Sequence, residues 1–240
     1  MLKAKERNDD WKNWHHFMLS LVCTSKATVV LFGDSIMKHL GDRKVNHDTW
    51  QLSVQEESLF LAQGGDKIEN LLWRIIYGRL PQSTQAIVVH IGTNNLPIKE
   101  NKPSDIAKGI VNICKKLYER KKSASIIITG VLPDRERPLR KVKAVNNDIK
   151  TLITGSNYNT FFIAPDYDDC VSPNGQLKSN MYENDELHLS AEGYRAFIYY
   201  IQKISLISRH SLVPHFLPPP PKETCPTHNE DAIGRLERII

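Results

Sequence analysis

The sequence predicts a three-layer α/β domain built on a five-stranded parallel sheet, and three observations predict it. Short continuous apolar runs recur along the chain, such as Ala86–Ile91 and Ser125–Thr129, with the length and composition of strands buried on both faces. Segments between them carry apolar residues at helical spacing, as helices covering a sheet do. Several of the apolar runs break off at Gly, Asp, Ser or Asn, and open α/β sheets place their sites beyond such strand ends.

Residues 1–25 are expected to form an amphipathic helix packed on the domain, because Trp11, Trp14, Phe17, Met18 and Leu21 recur at helical spacing. Residues 26–207 form the main domain. Its first strand starts at Thr28 and stops at Gly33-Asp34-Ser35. Leu59–Ala62 is the second strand and Gln63-Gly64-Gly65-Asp66 the turn that follows. Asp66 is the expected N-cap of a helix with Ile68, Leu71, Leu72, Ile75 and Ile76 on one face, ended by Gly78 and Pro81. The third strand, Ala86–Ile91, breaks at Gly92-Thr93-Asn94-Asn95. Ser104 or Asp105 opens the next helix, whose Ile106, Ile110, Ile113 and Leu117 face inward. Ser125–Thr129 is the fourth strand. A helix carrying Val142, Val145, Ile149 and Leu152 then ends near Gly155, and Thr160–Ala164 is the fifth strand. Residues 165–184 are rich in Asp, Asn, Pro, Gly and Ser, the composition of a long ordered loop, and such loops usually carry function. Ser190 can cap the last helix, with Tyr194, Phe197, Ile198, Ile201 and Ile204 facing the core. Residues 208–240, with Pro214, Pro218–Pro221 and Pro226, read as a flexible or polyproline-like tail.

Composition narrows the function classes. A chain of 240 residues, 40% hydrophobic and 25% charged, buries enough surface to fold without a metal or disulfide staple. Cys23, Cys114, Cys170 and Cys225 are far apart and form no CxxC pair, which suits reduced thiols in a cytoplasmic protein and no zinc site. No stretch approaches the roughly 18 apolar residues of a membrane span, and the charged N-terminus lacks the apolar core of a signal peptide. The net charge of +5 is concentrated in two clusters, Lys115, Lys116, Arg120, Lys121, Lys122 and Arg135, Arg137, Arg140, Lys141, Lys143. The first complements a helix C-terminus; the second could meet anions, but without interleaved aromatics or a nucleic-acid motif no nucleic-acid partner is expected.

A parallel sheet gathers residues remote in sequence along one rim. Ser35 after the first strand, Gly65 after the second, Asn94 after the third, and Asp185 and His188 before the last helix are one candidate for each role in ester cleavage by a serine. Ser35 is the candidate nucleophile, His188 the base and Asp185 its orienting carboxylate. The N–H groups of Ser35 and Gly65 and the Asn94 amide are the oxyanion donors. Ile36 and Leu187, beside nucleophile and base, would crowd a small acyl pocket. Each piece alone has a plainer reading: Gly-Asp-Ser and Gly-Gly are turn chemistry, Asp185 and His188 a capping pair, and His90 a satisfied core residue.

Taken together, Gly33-Asp34-Ser35, Gly65, Gly92-Thr93-Asn94 and Asp185-Glu186-Leu187-His188 resemble the four blocks of the SGNH (GDSL-type) hydrolase superfamily. Leu72-Trp73-Arg74, Gly130-Val131-Leu132-Pro133, Pro138-Leu139-Arg140 with Val145-Asn146, and His188-Leu189-Ser190 are similar to the catalytic subunits of the intracellular (type I) platelet-activating factor acetylhydrolases. The resemblance implies a flavodoxin-like fold and a cofactor-free, metal-free serine esterase for acetyl or other short acyl esters. It transfers Ser35, Asp185 and His188 as triad and Gly65 and Asn94 as oxyanion donors. It also implies a possible homodimer and a possible WD-repeat regulator. Ala62-Gln63 and His90 depart from the pattern near the pocket and leave the substrate open. Competing readings are a deacetylase of sugars, a lipid esterase derived from a mobile element, and a binding or assembly module with little turnover.

Overall fold

The computed structural model describes residues 2–41, 58–154, 160–163, 170–171, 176–199 and 201. Five strands, β1 (Val29–Gly33), β2 (Ser58–Ala62), β3 (Ala86–His90), β4 (Ser125–Thr129) and β5 (Thr160–Ile163), form one sheet. They lie in the order β2-β1-β3-β4-β5 with every neighbouring pair parallel. This is the flavodoxin-like order, and its direction of winding reverses between β1 and β3, where open sheets form a crevice.

Side chains alternate across the sheet. Val30, Phe32, Ile87, Val89, Ile126 and Ile128 belong to one core, and Leu31, Val88 and Ile127 to the other. The first face is covered by α3 (Ile68–Tyr77), α4 (Pro103–Arg120) and α5 (Leu139–Ile153), with α1 (Asp9–Thr24) laid outside α3. The second is covered by α2 (Ser35–Leu40) and a last helix, α6, over residues 191–199. Packing rather than propensity holds these helices. In α4, Ile106, Ile110, Ile113 and Leu117 are essentially fully buried, each contributing about 1.5–3 kcal/mol by the usual burial scale. Ser190 caps α6 as expected, its hydroxyl accepting from the Gly193 N–H (3.1 Å). No helix among the described residues is long and apolar enough to cross a membrane.

Several expectations are corrected. In α1 the buried residues are Trp11, His15 and Val22, whereas Phe17 and Leu21 are 60% and 39% exposed. The stripe turned to the domain is chosen by hydrogen bonding at Trp11, which hydropathy does not register. Ile76 and Leu152 are likewise exposed, at 38% and 39%, because each lies at the margin of its helix's packed face. Lys102 and Pro103, not Ser104 or Asp105, open α4. Proline suits the first helical turn, where its missing N–H has no partner to lose. Arg120, read as complementing its own helix end, instead donates to the carbonyls of Ile76 and Gly78 at the end of α3. Cys23 is disulfide-bonded, against the expectation of four reduced thiols; Cys114 and Cys170 are free and buried. The 208–240 tail, Ile204, and residues 165–169 and 172–175 of the long loop lie outside the described residues.

The largest correction concerns Asp66. Lys67, not Asp66, occupies the N-cap of α3, and Asp66 is fully buried. Its carboxylate accepts from Arg74 Nε (2.8 Å) and Trp11 Nε1 (2.8 Å), and is ion-paired with Arg74 Nη2 (2.7 Å) and Arg7 Nη1 (3.2 Å). The α3 N-terminus is served from elsewhere: the Ile68 N–H donates to Asn95 Oδ1 (2.9 Å). A carboxylate this deep costs several kcal/mol to desolvate unless each lone pair is met. Removing one partner leaves the other charge buried without its main counter-charge. Arg74→Leu or Asp66→Ala should therefore lower unfolding free energy by about 3–5 kcal/mol in urea titrations, and the double substitution should cost less than the two singles added.

Candidate active site

β1 ends at Gly33 because nothing larger fits: a Cβ there would stand 2.5 Å from the His90 carbonyl oxygen and 2.6 Å from Met37 Cβ. Asp34 follows as the N-cap of α2, one oxygen accepting the Ile36 N–H (3.1 Å). Its side chain is fully buried, and burial pushes its carboxyl up to about 7. Ser35 is the first residue of α2. Its backbone N–H thus has no partner within the helix, and its hydroxyl stands at the rim beyond β1.

The segment bearing Asp185 and His188 reaches that hydroxyl from the far end of the chain. His188 Nε2 lies 2.9 Å from Ser35 Oγ, across a separation of 153 residues. His188 Nδ1 lies 2.6 Å from Asp185 Oδ2. Since a carboxylate only accepts, Nδ1 carries the proton and Nε2 offers a lone pair to the serine. Asp185 Oδ1 accepts the N–H groups of Leu187 (3.0 Å) and His188 (2.9 Å), which locks the turn. Burial raises the Asp185 pKa, but the hydrogen bonds from the His188 side chain and from these two N–H groups outweigh it and hold the carboxyl at about 2. Glu186 takes φ of 52°, a left-handed conformation uncommon for a residue with a side chain. Its carbonyl accepts the Arg135 N–H (3.2 Å), and its carboxylate pairs with Arg135 Nε (3.2 Å).

The Gly64-Gly65 turn also meets Ser35, since a Cβ on Gly64 would lie 3.9 Å from Ser35 Cβ. Gly65 has φ of 73°, which glycine adopts without strain. Asn94 is tied to the same turn, its Nδ2 donating to the Asp66 carbonyl (2.9 Å). That bond uses one of two amide protons and leaves the other for a ligand. Ile36 is buried in the second core, where its carbonyl accepts the Tyr194 hydroxyl (2.9 Å); Leu187 is half-buried on the Asp185 turn. Among the described residues no group of three or more His, Cys, Asp or Glu side chains is arranged to hold a metal ion.

The structure thus joins Ser35, His188 and Asp185 by hydrogen bonds and sets the glycine turn and Asn94 beside them. Sequence reasoning missed their supports. His39, one helical turn after Ser35, places its ring 4.4 Å from that of His188, a neighbour the i to i+4 spacing could have suggested. Arg137, read as a surface cation, is buried and paired with Asp134 (2.5 Å). Pro133, Asp134, Arg135, Leu139, Leu177 and Glu186 border a cleft of about 680 Å³ beside the Asp185 turn. His90 is a core residue but not the satisfied one its plainer reading expected: Nδ1 lies 2.7 Å from Thr129 Oγ1 and Phe197 is edge-on to its ring, while its buried Nε2 has no hydrogen-bond partner among the described residues.

Comparison with known proteins identifies the family. Residues 31–196 match the GDSL-like Lipase/Acylhydrolase family. The chain is 31% identical over 192 residues to the human platelet-activating factor acetylhydrolase IB subunit alpha2, covering 78% of this chain and 80% of that protein. Among solved structures, a GDSL-like lipase from Bacteroides thetaiotaomicron superposes with a TM-score of 0.66 at 18% identity, over 82% of this chain and 97% of that one. A psychrotrophic esterase from Pseudoalteromonas, inhibited by monoethylphosphonate, superposes with a TM-score of 0.55 at 15% identity, over 75% and 99%. These two likenesses speak for the fold.

The buried imidazole of His90 has a measurable consequence. Burial pulls its pKa from 6.5 down to about 4, and His15 is lowered likewise, first by burial and then by the neighbouring Arg74 charge. Between these values the unfolded chain binds protons that the folded chain refuses, so stability rises with pH across the window and is lost as pH falls below about 6.5. Each histidine contributes a slope of up to about 1.4 kcal/mol per pH unit. Asp34, raised by burial from 3.8 to about 7, acts in the opposite sense over the same window, so the histidine effect is read by difference: in urea titrations from pH 7 to 4.5, wild type should lose stability relative to His90→Gln.

Proposed function

The chain belongs to the GDSL-like lipase/acylhydrolase family, and we propose that it is a serine esterase that removes acetyl or other short acyl groups through an acyl-enzyme. The observation that carries this reading is the 2.9 Å contact between His188 Nε2 and Ser35 Oγ, made by an imidazole whose other nitrogen is held by Asp185. Ser35 Oγ attacks the acyl carbonyl as Nε2 takes its proton, and the imidazolium is stabilised by Asp185. The oxyanion is met by the N–H of Ser35, the N–H of Gly65 and the free amide proton of Asn94. Collapse expels the alcohol, which receives the proton from His188. Water, activated by the same imidazole, then releases the acid and restores the serine hydroxyl. Side chains on hand supply every proton transfer, and no step in this scheme calls for a metal.

The short acyl group rests on the naming of the relatives and on Leu187 beside the base. The curated relatives are named as acetylhydrolase subunits. Leu187, half-buried beside the base, is the side chain placed to limit the acyl chain, whereas Ile36, at 1% exposed, is packed into the second core.

Wild-type protein should cleave para-nitrophenyl acetate and lose kcat/KM as the acyl chain lengthens, with Leu187→Ala flattening that trend; a preference for long chains counts against the short-acyl assignment. Ser35→Ala should abolish turnover and the covalent adduct that a fluorophosphonate forms, located by peptide mass spectrometry. Asp185→Asn should lower kcat by about 10⁴-fold and Asn94→Ala by about 10²–10³-fold. Equal slow hydrolysis by wild type and Ser35→Ala would leave the binding-module reading in its place.

A further inference from the structure

Residues 2–8 run along the start of α3. The Lys5 N–H donates to the Glu69 carbonyl (2.9 Å), and Asn70 Nδ2 donates to the Lys5 carbonyl (2.9 Å). This arm brings Arg7 to the glycine turn. Arg7 Nη1 donates to the Gly64 carbonyl (2.9 Å) and to Asp66 Oδ1 (3.2 Å). The guanidinium lies 3.6 Å from where a Cβ on Gly65 would stand.

The Gly64 carbonyl and the Gly65 N–H belong to one peptide unit, which is planar and trans, so they point in opposite directions. A donor that fixes the carbonyl fixes the aim of the N–H. Such fixing matters here because two successive glycines rotate freely, and this peptide plane could otherwise turn over at little cost. Arg7 holds the carbonyl side of the plane, and the opposite side carries the Gly65 N–H, in a turn that packs against Ser35. Charge acts in the same sense. Asp66 is shared by Arg7 and Arg74, so two guanidinium groups stand against one carboxylate beside the turn.

We propose that Arg7 is a positioning residue for the oxyanion site: it aims the Gly65 N–H and biases the local field toward negative charge developing at the substrate carbonyl. The inference rests on the esterase reading above and adds to it a residue outside the four sequence blocks. Arg7 touches neither Ser35 nor His188; it acts through the peptide it holds. Oriented donors of this kind favour the transition state over the bound ester, so the effect belongs in kcat rather than KM.

The test uses the full-length chain with Arg7→Ala, Arg7→Gln and Arg7→Lys, beside wild type and Ser35→Ala. Arg7→Ala should lower kcat by about ten- to a hundredfold with KM within about threefold. Affinity for a trifluoromethyl ketone, which mimics the tetrahedral oxyanion, should fall in parallel with kcat/KM. Lysine keeps the charge and a donor and should recover part of both losses; glutamine should recover less. All rates are referred to the folded fraction from circular dichroism, so a variant that merely unfolds is separated from one that misaims the turn. An active wild type with unchanged kcat and ketone affinity in Arg7→Ala overturns the role of Arg7, as does a rise in KM alone or a rate loss that vanishes after correction for folding. A wild type no faster than Ser35→Ala instead overturns the esterase reading itself.

Discussion

One buried ion pair holds the functional rim of this protein together. Arg74 meets Asp66 through two nitrogens, and the same guanidinium donates to the carbonyls of Leu61 (2.7 Å) and Gly33 (3.3 Å) at the ends of β2 and β1. Asp66 in turn accepts Trp11 from α1 and Arg7 from the N-terminal arm, while its own carbonyl holds Asn94. Trp14 lies over the Arg74 guanidinium at 5.3 Å, a contact favourable to a cation. A buried pair of this kind adds little net stability when compared with apolar side chains of equal volume. Its value lies in geometry, because a planar fork with each of its three nitrogens engaged narrows the arrangements open to the segments it touches.

The site is assembled from elements whose own interiors are unremarkable in chemistry. β1 and β3 are apolar strands but for His90 at the end of β3, and the polar residues of the site begin where their ladders stop. The parallel pairing of β1 with both β2 and β3 means that three strand ends open on the same side, where the loop after β5 returns. Two tyrosines fasten that return. Tyr182 donates to the Pro133 carbonyl (2.7 Å), and Tyr194 to the Ile36 carbonyl (2.9 Å). They bracket His188 on both sides in sequence and anchor it to β4's exit and to α2. The close contact between residues 35 and 188 is therefore supported from outside the pair, the preorganisation that the proposed proton transfer would use.

Much of the fold was legible because its signals are local and repeated. Five apolar runs specify five strands, and the spacing of Ile106, Ile110, Ile113 and Leu117 specifies a buried helix face. The site was legible in its ingredients for a different reason: a hydroxyl, an imidazole and an amide at strand ends have few structural uses in common. What misled was polarity in ambiguous settings. Asp66 stands one residue before a helix-like run, and an N-cap is the ordinary use of aspartate there; only the arrival of Arg74 from two turns further along α3 gave it another use. Phe17 and Leu21 are as apolar as the residues that α1 buries, so hydropathy alone could not choose the face. That choice was made by Trp11, the residue able to bury a ring and donate to Asp66 at once.

The amino-acid order by itself determined the layers, the strand count, and which side chains have the chemistry for acyl transfer, since periodicity and residue type are properties of short windows. Tertiary structure decided which of them meet. The distance from His188 to Ser35, the sharing of Asp66 between two arginines, and the reach of Arg7 to the Gly64 carbonyl depend on segments up to 153 residues apart. Nothing in a local window encodes such distances; they follow from the sheet's strand order, which sets the ends side by side, and from the burial that makes each polar group find a partner.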